Sequence, residues 1–228
     1  VDVLVDRLKA VRERLAAAAE RAGRDPSSVR LIAVSKTVPA ARVREAILAG
    51  VEALGENYVQ EARTKMADLA DLPVAWHFIG RLQTNKAKDV IEGFSLIHSV
   101  DRLKLARELD RRAGLRGRLV PILIQVNLSG EETKGGAAES EALDLIRAAA
   151  GLEHLEVKGL MTMPPFFDDP DRARPFFRSL ARLAEAARQR TGLALPELSM
   201  GMSGDFEAAI EEGATLVRVG TAIFGRRS

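Results

Sequence analysis

The sequence predicts one α/β domain, a single (β/α)8 TIM barrel with an additional N-terminal helix, spanning residues 1–228. Three observations predict it. Short apolar runs of strand length recur between residues 31 and 219, and segments with a helical period lie between them. Strands that alternate with helices pair in parallel, and eight such units close naturally into a barrel with no unpaired edge. With 228 residues the chain has room for one such core, and no Gly/Ser-rich linker or shift of composition divides it. An open, doubly wound sheet is the alternative for the same pattern.

The opening helix has apolar positions at Val5, Leu8, Val11 and Leu15, and it breaks at Gly23 before the turn-forming run Asp25-Pro26-Ser27-Ser28. The strands expected next are Leu31–Val34, Glu52–Leu54, Val74–Ile79 and Leu96–Val100, then Val120–Leu128, Val157–Met161, Glu197–Met200 and Leu216–Val219. Segments such as Ala40–Ala49, Arg102–Ala113, Ser140–Ala149 and Pro175–Gln189 carry Leu, Ile and Ala at three- and four-residue spacings with charges between. They read as amphipathic helices around the barrel.

Composition narrows the chemistry. The chain is 46% hydrophobic and 29% charged, and 34 Lys+Arg against 32 Asp+Glu leave a formal charge of only +2. The basic residues are spread along the sequence, so charge does not imply nucleic acid, and no apolar stretch is long enough to span a bilayer. The absence of cysteine removes disulfides, thiolate nucleophiles and Cys-type metal sites. Residues 1–22 lack the uninterrupted apolar core of a signal peptide, which makes a cytoplasmic location the expectation. The chain opens at Val1 and not at Met, so a native segment ahead of it stays open.

Barrels of this kind keep their working residues at the carboxyl ends of the strands, with phosphate often held after the last two. Reading those ends gives Lys36, Asn57, His77 with Gly80, Asn127, Met161 with Met163, Ser203 with Gly204, and Arg218 with Gly220 and Thr221. Lys36 follows an apolar run, where desolvation lowers an ammonium pKa and creates a carbonyl nucleophile. A lysine snorkelling from a strand end is the plainer account. The run Met200–Asp205 leads into a helix, so its amides and the Ser203 hydroxyl offer half of a phosphate cup, and Gly220-Thr221 offers the other half. Ordinary turns with a Ser cap fit the same residues. Arg218 stands inside an apolar strand and needs either a structural ion pair or a ligand atom to donate to.

Ordered segments along nearly the whole chain resemble one known family. They are Ala33-Val34-Ser35-Lys36, Gly55-Glu56-Asn57-Tyr58-Val59-Gln60-Glu61, the hallmark Trp76-His77-Phe78-Ile79-Gly80-Arg81-Leu82-Gln83-Thr84-Asn85-Lys86, and Ser99-Val100-Asp101. Further on come Gln125-Val126-Asn127, Gly159-Leu160-Met161-Thr162-Met163, Leu198-Ser199-Met200-Gly201-Met202-Ser203 and Arg218-Val219-Gly220-Thr221-Ala222-Ile223-Phe224-Gly225. The sequence is similar to the pyridoxal phosphate homeostasis proteins, often called the YggS or PROSC family.

The resemblance implies a fold like the N-terminal barrel of alanine racemase, with pyridoxal 5′-phosphate (PLP) held on Lys36 as a Schiff base. It also implies phosphate contacts from Ser203, Gly220 and Thr221, a polar contact from Asn57, and Arg218 facing the pyridine nitrogen. His77 and Met161 complete the expected cofactor-binding set. An arginine at the ring nitrogen keeps that nitrogen unprotonated and the ring a weak electron sink. Alanine racemases add a tyrosine base from a separate β domain, for which no residues follow Ser228 here. The expected role is therefore buffering and delivery of PLP in cofactor homeostasis rather than efficient catalysis, with apo PLP-dependent enzymes as recipients and a monomeric state. Lys134 is a secondary aldehyde-binding amine or a solvated loop residue. Lys86 and Lys88 either steer an anionic cofactor or decorate a helix.

Two rivals remain at this point. One is a small fold-type III PLP-dependent amino-acid racemase, with His77 as fallback acid or base. The other is a protein-interaction regulator whose bound PLP acts as a sensor.

Overall fold

The polypeptide opens with helix α1 (Val3–Arg21), which turns a single apolar stripe of Leu4, Leu8, Val11, Leu15, Ala18 and Ala19 inward. A computed structural model describes residues 3–131 and 135–225. Val5, expected on that stripe, is 44% exposed, and Leu4 takes its place. Steps of four, three and four residues keep 4, 8, 11 and 15 on one face, whereas position 5 falls to its side. The stripe packs against α8 (Phe206–Glu211) and α9 (Thr221–Phe224), and Arg14–Glu207 and Arg21–Glu211 ion pairs flank it.

Eight parallel strands form the barrel: β1 (Arg30–Val34), β2 (Ala53–Glu56), β3 (Ala75–Phe78), β4 (Leu96–Val100), β5 (Val120–Asn127), β7 (Leu155–Met161), β8 (Glu197–Ser199) and β9 (Leu216–Val219). The pairing runs β4-β3-β2-β1-β9-β8-β7-β5, and β4 pairs with β5 to close the ring, which rules out the open doubly wound sheet. The expected strands are all present, with ends moved by at most two residues. A further strand, β6 (Ala137–Ala138), extends the upper end of β5. Two alanines beside Gly135-Gly136 carry no periodic signal, so nothing in the sequence marks them.

Around the ring lie α2 (Ala40–Leu48), α3 (Val59–Asp68), α4 (Ala87–Val90), α5 (Leu103–Gly114), α6 (Glu139–Ala150) and α7 (Arg174–Thr191). Their apolar faces and the outer face of the sheet make the main core, which runs from Leu4 to Ile223. A second, smaller cluster of Ile32, Ala53, Leu96, Leu123, Met161 and Leu216 fills the inside of the barrel.

Side chains alternate across a strand, so two residues beyond an interior position the chain points inward again. From Ala75, Leu96 and Leu216 that rule leads to His77, His98 and Arg218, which with Ser199 are buried above the apolar plug. The barrel interior is thus apolar in one layer and polar in the next. The polar layer is the floor of the mouth into which the β→α turns project.

Candidate functional site

Lys36 sits in the turn just past β1, half-buried. Its strand lies between β2 and β9, with Val34 opposite Gly55 and Ala33 opposite Val219. The turns that begin at Asn57 and Gly220 are therefore the immediate neighbours of the lysine turn. A Cβ on Gly220 would stand 3.3 Å from Val34 Cβ and from Val34 O, so this position lets β9 end tight against β1.

The two glycine- and serine-bearing turns at the end of the chain are joined directly. The Gly220 amide donates to Ser203 Oγ at 3.2 Å. Within the first turn, Asp205 Oδ1 accepts from the Met202 amide at 2.6 Å, and the amides of Asp205 and Phe206 both go back to the Met202 carbonyl. Among the described residues, the amides of Ser203, Gly204, Thr221 and Ala222 take no carbonyl or side-chain acceptor. Four main-chain donors on two stapled turns, with the Ser203 and Thr221 hydroxyls beside them, suit a multiply charged anion.

Asn57 follows the last residue of β2, and its Oδ1 is buried without a hydrogen-bond partner. A buried amide oxygen left unsatisfied costs free energy and marks a place where a ligand or water donor belongs. Gly80 explains part of the hallmark segment, because a Cβ there would lie 2.2 Å from the Asn57 carbonyl oxygen. Only a residue without a side chain lets the chain after β3 cross so close to Asn57. The rest of the hallmark is held by Arg102, whose Nη2 donates to Leu82 O at 3.2 Å and to Thr84 Oγ1 at 3.0 Å.

Arg218 is 3% exposed and donates from Nη1 to Ser199 Oγ at 2.6 Å and from Nη2 to Thr162 O at 3.0 Å. Burial pulls its pKa down to about 10, against which the Asp205 charge works, so the group is a cation at neutral pH. Both contacts are neutral acceptors, not the carboxylate of a close ion pair. A guanidinium has five N–H donors, and two bonds leave several of them for a ligand.

The network continues. His98 Nδ1 lies 2.8 Å from Ser199 Oγ, and His98 Nε2 lies 2.9 Å from His77 Nδ1. Arginine can only donate, so Ser199 accepts from Arg218; passing its own proton to His98, and His98 its Nε2 proton to His77, gives each contact in the row one donor and one acceptor. Burial lowers the His77 pKa to about 4, with Arg30 adding to it, and burial, then His77, Arg218 and Arg30, hold His98 well below its ordinary value. Both rings are neutral.

The expected residues therefore divide. Lys36, Asn57, Ser203, Gly220 and Thr221 meet at the mouth. Arg218 and His77 lie in the polar layer under it, and Met161, fully buried, belongs to the apolar plug beneath. Asn127 is committed to its own loop, accepting from Ser129 and Gly130 and donating to Glu131 O. Lys86 and Lys88 are exposed on a short helical segment, and Lys134 lies outside the described residues. Sequence reasoning missed His98, Ser199 and the acidic-basic group Glu56, Glu61 and Lys65. The one available signal was a polar side chain at an inward position of an apolar strand, as at His98 two residues after Leu96.

Glu56 is completely buried at the end of β2, where Ser35 Oγ donates to its Oε1 at 2.7 Å and Lys65 Nζ does so at 2.7 Å. Burial pushes its pKa up, opposed by the hydrogen bonds from Lys65 and Ser35. No group of three or more His, Cys, Asp or Glu among the described residues is placed to hold a metal ion, and no described helix is long and apolar enough to cross a membrane.

Comparison with known proteins places these features in a wider set. The profile of the alanine racemase N-terminal domain matches residues 7–228. The pyridoxal phosphate homeostasis protein of Aquifex aeolicus is 48% identical over 222 residues, covering 97% of each chain. The solved structure of PipY from Synechococcus elongatus with PLP bound superposes with a TM-score of 0.86 at 40% identity, covering 97% of this chain and all of the other. Alanine racemase of Clostridium difficile, at 16% identity and a TM-score of 0.73, shares the barrel over 57% of its own length.

Proposed function

This chain belongs to the alanine racemase N-terminal domain family, and within it to the pyridoxal phosphate homeostasis proteins, and from that premise we propose that it binds PLP through Lys36 and buffers and delivers the cofactor in the cell. Residues 1–228 act as one PLP-binding domain in this reading. The observation that carries it is the meeting, on the adjacent strands β2, β1 and β9, of an unsatisfied Asn57 oxygen, the turn that carries Lys36 and a turn with unengaged amides.

The residues present fit the cofactor. The amides of Ser203, Gly204, Thr221 and Ala222, with the Ser203 hydroxyl, would hold the phosphate. Asn57 Oδ1, which has no hydrogen-bond partner among the described residues, would accept from a polar edge of the ring. Arg218, held by Ser199 and Thr162 in the floor of the mouth, keeps further N–H groups that would donate to the ring nitrogen. When bound, PLP supplies an electrophilic aldehyde for the Lys36 amine and a ring that withdraws electrons. Arg218 tempers the second property, because a guanidinium donates a hydrogen bond without surrendering its proton.

Two further features favour storage over turnover. Tyr58 is 61% exposed beside Asn57, and His77 is neutral, buried and hydrogen-bonded to His98, so neither is offered to a substrate α-carbon as a base. Release to an incoming amine of an apo PLP-dependent enzyme completes the cycle. A monomeric state and a cytoplasmic setting belong to the same proposal.

The test is optical and chemical. Purified protein mixed with PLP turns yellow, and borohydride reduction followed by peptide mass mapping finds the cofactor on Lys36. Lys36→Ala stays colourless. A label on another lysine, or an unlabelled protein, overturns the reading.

A further inference from the structure

The turn that carries Lys36 is strained and is held from outside. The Val38 amide donates to Ser35 O at 3.0 Å, closing a β-turn with Lys36 and Thr37 at its centre. Thr37 has φ of 63°, one of two non-glycine residues described with positive φ. Turns that demand φ > 0 at their third position take Gly or Asn there, and a β-branched residue is disfavoured. Such a residue persists where its surroundings over-determine it, which happens at functional sites.

The surroundings here are Glu56, Glu61 and Lys65. Lys65 Nζ donates to Ser35 O at 2.5 Å, to Glu56 Oε1 at 2.7 Å and to Glu61 Oε1 at 2.6 Å. Ser35 Oγ donates to Glu56 Oε1 at 2.7 Å, and the Thr37 amide donates to Glu61 Oε1. The peptide groups on both sides of Lys36 are thereby fixed, one through the carbonyl of Ser35 and the other through the amide of Thr37. With three acceptors for three protons and a side chain 6% exposed, Lys65 is spent as a donor and is not a second amine for an aldehyde. Buried ion pairs are weak evidence for stability, and their better use is to fix one geometry.

We propose that Lys65 is a positioning residue for Lys36: with Glu56 and Glu61 it clamps the strained Ser35–Val38 turn so that the amine enters the barrel mouth. This rests on the reading of Lys36 as the cofactor amine. It also gives a purpose to Glu56 and Glu61, the acidic residues of the Gly55–Glu61 segment. Without Lys65, Thr37 relaxes to negative φ, the peptide planes on either side of Lys36 rotate, and the amine leaves its line of approach.

The experiment compares two ligands. PLP reads Lys36 together with the phosphate and ring contacts, whereas pyridoxine 5′-phosphate, which has no aldehyde, reads only the latter. Lys65→Met should weaken PLP about tenfold or more, as misplacing a reacting group does, and leave pyridoxine 5′-phosphate as in the wild type. Adding Thr37→Gly, which adopts the turn without strain, should recover most of the PLP affinity. Should Lys65→Met not fold, Glu61→Ala carries the test from a side chain 26% exposed, with a smaller loss of the same kind. Unchanged PLP affinity, an equal loss for both ligands, or no recovery with Thr37→Gly overturns the proposal. Wild-type protein that never attaches PLP to Lys36 overturns the functional reading itself.

Discussion

The hydrogen bond from the Gly220 amide to Ser203 Oγ makes the turns after β8 and β9 one unit. An anion held there is read by both turns together. Ser203→Ala removes a direct donor and the staple, and the net value of a hydrogen bond is about 1 kcal/mol, more to a charged group. The expected result is a loss of PLP affinity of about tenfold or somewhat more. Pyridoxal, which lacks the phosphate, should bind the variant as it binds the wild type in parallel titrations. A matching loss for pyridoxal would place Ser203 elsewhere.

Gly80→Ala tests the packing that sets Asn57. The added methyl meets the Asn57 carbonyl oxygen at 2.2 Å and its Cα at 2.7 Å, and both are backbone atoms with no rotamer to escape into. Overpacking of this kind costs about 2 kcal/mol, visible as a lowered denaturant midpoint, and displaces the Asn57 side chain from the mouth. Gly204→Ala is the control, since nothing lies within 4 Å of its Cβ. Its midpoint should not move.

The barrel was legible because its signal is repeated. Each strand is a short apolar run, the longer outer helices such as α5, α6 and α7 have their own stripes, and an error at one end, such as Val5 for Leu4, does not disturb the rest. Lys36, Arg218 and Gly220 were legible because a charge at the end of or inside an apolar strand, or a glycine after one, stands out locally. The hidden part depends on contacts between distant residues. Nothing in Leu96–Val100 says that His98 meets both His77 and Ser199, and nothing at Lys65 says that its ammonium reaches the Ser35 carbonyl. Buried polar groups look like surface groups in a sequence, and only the fold tells them apart.

The two buried histidines give stability a pH dependence with a definite sign. His77 has a folded pKa of about 4 against an ordinary 6.5, so on acidification the unfolded chain takes up the proton first. Its contribution is complete above pH 6.5 and is lost as the pH falls toward 4. Over that window the loss is about 3 kcal/mol, and His98 acts in the same direction. His77→Gln keeps a hydrogen-bonding group without the titration. Urea midpoints followed across the window should fall more steeply for the wild type than for the variant, and equal slopes would mean that His77 is not held neutral by the fold.

If Arg218 faces the ring nitrogen as proposed, Arg218→Glu reverses the charge there without altering Lys36 or the residues of the proposed phosphate turns. Among the described residues, the direct acceptors of Arg218 are Ser199 and Thr162, both neutral, and Asp205 acts on it only through its charge, so the guanidinium is not committed to a close structural pair. A glutamate there accepts a proton shared with the ring, and a protonated ring draws electrons from a bound amino acid far more strongly. The expected outcome is a changed absorption spectrum of the PLP-loaded protein and faster exchange of the α-proton of added amino acids in D2O. Arg218→Gln, which donates without the charge, should change the spectrum less and show no gain in exchange. If Arg218→Glu folds, binds PLP and keeps the wild-type spectrum, the guanidinium does not face the ring nitrogen.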